Sequence, residues 1–199
     1  MFFLITVYVN AFFLGAVIMG FEMLGSRYLY PFFGGSIVTW AALISMVLAG
    51  LMAGYFIGGA LADKFPSPRA LGWIIFGAAV YLAAVPTVAG PLSMTIYNTL
   101  GDGSVAVLTA AGALLFAPIL LLGVFSPYAV KLTLQSTHSS GRTAGRVYGI
   151  STFGSIFGTL FTTFTLIPVI GSRDITYVFA GCAAISACSF FIFKRREGL

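Results

Sequence analysis

Apolar residues run almost unbroken along this chain, and polar residues gather in short clusters between the runs. Crossing a bilayer takes about 20 mostly apolar residues of α-helix. Six stretches meet that length: residues 2–30, 37–62, 70–89, 105–128, 147–170 and 175–193. Continuous runs predict helices, because a membrane β-barrel would show short segments of alternating apolar and polar residues. The first stretch lacks a positive segment before its apolar core and is longer than a secretory signal, so it is expected to stay as a span. The longest connections, 90–104 and 133–145, are too short for a separate domain, which predicts a single membrane domain over 1–199.

Composition turns this pattern into an exclusion. Only 8% of the 199 residues are charged and 59% are hydrophobic, whereas a soluble domain carries about 25% charged residues. A soluble enzyme, a disordered regulator and a nucleic-acid-binding domain are therefore excluded. The partner this composition implies is the lipid bilayer, not nucleic acid. The net charge of +5 follows from topology. Eight of the ten Lys and Arg residues (Lys64, Arg69, Lys131, Arg142, Arg146, Lys194, Arg195 and Arg196) fall on the side of the two termini, and only Arg27 and Arg173 fall on the other. Positive residues stay inside, so both termini are expected in the cytoplasm, with the protein in a bacterial inner membrane. The tail Lys194-Arg195-Arg196 reads as a topology anchor able to touch anionic lipid.

The chain divides into two comparable halves of three spans. Stretches one and four both end in a proline-interrupted, charge-bearing segment, and stretches two and five are stepped with glycine. Gly50, Gly54 and Gly58 recur every four residues; Gly145 and Gly149, then Gly154 and Gly158, repeat the step. Small residues at that spacing let membrane helices approach closely. An odd number of spans per half inverts one half relative to the other, as in transporter repeats.

Little of the chain offers chemistry. Glu22 and Arg27 lie within the first stretch, where charges are costly and usually face the protein interior or a water-filled cavity. They are roughly 140° apart around a helix, so a direct pair needs a kink or a bridging water. One reading is a proton- or cation-coupling site; the other is a structural pair that fixes the first helix. Tyr28, Tyr30, Trp40 and Tyr128 read either as a cavity lining for an organic cation or as an interfacial aromatic belt. Lys131 joins Tyr28 and Tyr128 as a candidate cavity residue, with snorkelling to headgroups as its alternative. His138, the sole histidine, falls in a polar loop, and no Cys/His group has metal-ligand spacing. Cys182 and Cys188 are six residues apart, on different helix faces, which argues against a disulfide between them. No serine has a paired histidine, so no catalytic residue, metal or cofactor is expected.

Two resemblances add to this reading. The segment 58–69, GGALADKFPSPR, is similar to the cytoplasmic signature between the second and third helices of the major facilitator superfamily, with prolines 66 and 68 as departures. The resemblance implies a charge relay of Asp63, Lys64 and Arg69; the alternative is a short turn with interfacial charges. Segments 20–29 (GFEMLGSRYL), 31–36 (PFFGGS), 50–55 (GLMAGY), 123–132 (GVFSPYAVKL) and 145–159 (GRVYGISTFGSIFGT) resemble, in order, the membrane domain of the fused major-facilitator/spermidine-synthase-like family. The chain ends at Leu199 without the soluble synthase region of that family, so aminopropyl transfer is not expected. These likenesses imply an all-α polytopic protein of six transmembrane helices, half of a major facilitator, built of two inverted three-helix repeats. The function they imply is a non-catalytic, transport-like module for polyamines or other cations, acting as a homodimer. The alternative is an accessory subunit packed against another membrane protein. The orientation is directly testable. A reporter that matures only in the cytoplasm, fused after Leu199, should be active, and one that matures only outside should be silent. The reverse pattern overturns the assignment.

Overall fold

A computed structural model describes residues 2–134 and 140–193; His138 and the tail bases Lys194, Arg195 and Arg196 lie outside the described residues. In hydrocarbon each backbone N–H and C=O must be satisfied within the chain, which leaves helices as the solution for continuous apolar runs. Six helices are long and apolar enough to span: α1 (Phe2–Phe33), α2 (Ile37–Lys64), α3 (Pro68–Leu100), α4 (Ser104–Thr133), α5 (Ser140–Val169) and α6 (Ser172–Phe191). No strand occurs among the described residues. The chain is an all-α polytopic membrane protein. Its outer surface agrees: Phe56 and Ile185 are about three-quarters exposed (75% and 74%), a disposition suited to lipid.

The helices are longer than the apolar runs. The third runs on to Leu100 instead of ending near residue 89, with Pro86 and Pro91 inside it. The expected loop 90–104 is therefore a correction: it is mostly helix, and only residues 101–103 turn. Prolines are tolerated in such helices because neighbours and local adjustments re-satisfy the freed backbone groups. α5 likewise starts at Ser140, seven residues before the apolar run.

Pairing within the bundle follows the repeat. α1 packs along α5, α2 along α4, and α3 along α6. Weaker pairs join α1 to α6 and α3 to α4, and α1 to α2 and the end of α4 to α5. Exchanging helices 1–3 with 4–6 maps these pairs onto one another, while the weak α1–α3 contact has no counterpart of similar strength among the described residues. The two glycine-stepped helices supply the closest contacts. A Cβ on Gly54 would strike the Leu120 carbonyl, and one on Gly58 would lie 2.7 Å from the Val124 carbonyl oxygen. On the other side, a Cβ on Gly154 or Gly158 would strike the carbonyls of Phe12 or Ala16, and one on Gly15 that of Ser151. Gly50 sits 3.1 Å, by the same measure, from Phe116 and Ile119. Residue numbers rise together across both contacts, so α1 and α5 run parallel, as do α2 and α4.

Gly145 and Gly149 do not belong to this packing, contrary to expectation. A Cβ at either would meet nothing within 4 Å, because both glycines lie on the exposed face of α5. The contrast is measurable. Gly154→Ala should lower the stability of the detergent-solubilised protein by about 1–3 kcal/mol through overpacking. Gly149→Ala should leave the melting temperature unchanged or slightly raised. Equal effects from the two substitutions would contradict the assigned contact.

Candidate functional site

Two helices widen at one depth of the bundle. α4 forms a π turn at Gly112–Phe116 and α5 forms one at Thr162–Leu166. Each precedes a proline, Pro118 or Pro168. A proline ring clashes with the carbonyl four residues earlier and offers it no N–H. Those carbonyls belong to Leu114 and Phe164, inside the two turns, so the widening is the local answer to the proline. Such turns often mark functional sites.

α1 crosses this layer at Glu22. Gly20 stands against Thr162, the first residue of the α5 turn: a Cβ there would lie 2.8 Å from the Thr162 hydroxyl oxygen. Gly25 stands against Leu43 of α2 and Leu115 of the α4 turn, at 3.0 and 3.2 Å by the same measure. Glu22 lies between them along the helix, close to the face of Gly25 and on the opposite side from Gly20. It is 4% exposed. Among the described residues its carboxylate makes no ion pair, and no hydrogen bond to its side chain is found. The two turns differ in how their polar groups are satisfied. In α4 the carbonyl of Ala113 accepts a hydrogen bond from the Tyr81 hydroxyl of α3. In α5 the hydroxyls of Thr162 and Thr163 are buried without a partner. The acid and the two unanswered hydroxyls thus lie at similar depth but on different sides of α1.

Arg27 is not part of that layer. It is exposed and lines a cleft at the end of the bundle opposite the termini, with Ser26, Tyr30, Trp40 and Ser172 around it. The expected pairing of Glu22 with Arg27 is therefore corrected: α1 stays helical through Pro31, and the five-residue offset points the two side chains different ways. Tyr28 does not line a cavity with Tyr128 either. Its hydroxyl lies 2.8 Å from the Thr176 hydroxyl and donates to the Ser172 carbonyl at 3.3 Å, tying α1 to α6. Tyr128 is fully buried at the end near the termini. There its hydroxyl donates to the Phe65 carbonyl and accepts from the Ser67 N–H at 3.4 Å.

The expected relay is also rearranged. Asp63 binds Lys131 of α4 at 2.7 Å, while Lys64 lies over the Phe65 ring at 5.4 Å and Arg69 has no ion pair among the described residues. Asp63, Lys64 and Arg69 therefore do not form one chain of charges. The α2–α3 turn carries the acid toward the second repeat, and Lys131 spends its charge there instead of lining a cavity. Cys182 and Cys188 are both free thiols.

The π turns could have been found from Pro118 and Pro168, but the apolar pattern hides them, since a π turn adds no polar residue. No protein-family model, curated protein or solved structure matches the chain.

The joint between the repeats gives a graded prediction. Asp63 and Lys131 are exposed, and such a pair contributes at most about 1 kcal/mol. Tyr128→Phe removes a buried donor and should cost about 1 kcal/mol or more. In thermal melts Tyr128→Phe should therefore destabilise at least as much as Asp63→Asn, and only the Asp63 effect should shrink in high salt. A larger loss from Asp63→Asn overturns that ranking.

Proposed function

We propose that this chain is a non-catalytic, transport-like membrane module that loads a proton or a small monovalent cation at Glu22. The observation that carries the reading is the buried acid itself. Ionisable groups inside spans are expensive, and an unpaired one is by default a functional site. The two π turns close to its depth support it. A carboxylate oxygen suits a hard cation or a proton. A polyamine, which the family resemblance suggests, carries several positive charges and calls for more than one intramembrane acid. A singly charged load is the better match to Glu22 alone. The reading keeps both termini in the cytoplasm of a bacterial inner membrane and assigns the chain no catalytic step, cofactor or metal.

The module works as a pair of copies in this proposal. A major facilitator surrounds its path with two six-helix halves, and this chain resembles one half. α5 offers the face: Phe153, Ile156, Phe157, Leu160 and Phe164 are exposed along it. The same face favours a second reading, in which another membrane protein covers α5 and this chain is its accessory subunit.

Proteoliposomes test the transport reading. With an imposed membrane potential, the wild-type chain should pass protons, read by an internal pH dye, or one of Na⁺ and K⁺, read by isotope uptake, in preference to the doubly charged putrescine. Glu22→Gln should lower that flux at least tenfold while keeping the helical circular-dichroism spectrum. No flux, or equal flux in the variant, overturns it. Mass spectrometry after mild-detergent purification separates the pair from the accessory subunit: a dimer of this chain supports the first, and a stoichiometric second polypeptide supports the other.

A further inference from the structure

We infer that the cleft around Arg27 is a binding site for an organic anion, one that presents a phosphate or carboxylate to the guanidinium. The cleft has a volume of about 620 Å³ and lies at the end of the bundle opposite the termini. Its walls come from the end of α1, the turn into α2, and the start of α6. Its polar groups are mostly spoken for. Ser26 donates to the Met23 carbonyl at 2.8 Å, and Thr39 donates to the Phe33 carbonyl at 3.4 Å. The Ser172 carbonyl accepts from Tyr28. Arg27 is the exception, since its guanidinium has no ion pair among the described residues. A planar, permanently charged fork of donors is the group best matched to a carboxylate or phosphate.

Three further features give the cleft its preference. The helices α2 and α6 both begin at its edge, at Ile37 and Ser172; α2 is capped by the Ser36 hydroxyl, whereas α6 has no side-chain cap, and an uncapped helix N-terminus presents free N–H groups and partial positive charge. Arg27 is the one charged residue among those lining the cleft, and a fixed positive charge there disfavours a cation. Tyr30 and Trp40 line the same space, and their rings can cover the organic body that carries the anionic group. The site is independent of the reading of Glu22, because it stands on a different cleft, a different charge and the opposite sign of ligand.

The anionic group can come from a lipid headgroup or from a soluble compound, and one experiment separates the two. Trp40 reports on the cleft if the second tryptophan is removed, so the protein used is Trp73→Phe, full length, in neutral nanodiscs of phosphatidylcholine. Titration with phenyl phosphate and with benzoate should shift Trp40 emission saturably if the ligand is soluble. Replacing a fraction of the lipid by phosphatidylglycerol should shift it if the ligand is a headgroup. In either arm Arg27→Gln should weaken the response at least tenfold, and Arg27→Lys should restore part of it. Thermal melts of each variant without ligand confirm folding. A response to neither anion source, an unchanged response in a folded Arg27→Gln protein, or a response to putrescine in place of the anions overturns the assignment.

Discussion

Backbone-to-backbone contact through glycine is the constraint on which the rest of this bundle depends. Lipid removes the hydrophobic drive between helices, since a hydrocarbon tail is as apolar as a leucine. What remains is dispersion, and dispersion falls steeply with distance. α1 against α5 and α2 against α4 meet where Gly154, Gly158 and Gly15, or Gly54 and Gly58, leave room for a facing carbonyl. Both contacts join helices from different repeats. The glycines thus hold the two halves together, and every site that draws on both halves inherits its geometry from them.

Polar bonds then set the register that glycine leaves free. Near the termini, Asn10 donates to Ser189 at 3.0 Å, and at the far end Tyr28 meets Thr176, so α1 is clamped to α6 at both ends. Between them Ser155 donates to the Gly15 carbonyl at 3.2 Å on the side of α5. α1 is therefore fixed in height and rotation by polar contacts to two helices, α6 and α5. That is what places Glu22 in the layer of the two π turns and turns Arg27 outward. The separation of the two charges is a consequence of helix register, not of any interaction between them.

How much of this was legible in the amino-acid order depended on whether a feature changes the apolar pattern. The six spans do, and they were found with short ends: helices gain several residues where polar or proline-containing segments continue the hydrogen-bonded path, as Pro91 does in α3. The four-residue glycine step identifies a helix that can pack closely but not which of its glycine pairs faces a neighbour. Gly149 and Gly154 are five residues apart and so lie on different faces of α5, and only the packing of α1 shows which face is covered. The acid at position 22 stood out by its cost. Its separation from Arg27, the Lys131 partner of Asp63, and the burial of Tyr128 are all long-range pairings, which one chain read in order does not carry.

The ends of the bundle differ in how they are tied, and this bears on where it can open. Links between repeats toward the end with the termini include Asn10 with Ser189, Tyr128 with the Phe65 carbonyl, Lys131 with Asp63, and the edge-to-face pair Tyr55 and Tyr148, whose rings are 5.9 Å apart. The last pair bridges α2 and α5. At the opposite end the link is Tyr28 to α6, and beside it lies the Arg27 cleft. In the proposed transport reading, these links tie the two halves at the end with the termini, while the far end carries the cleft. Glu22 lies buried between the two ends.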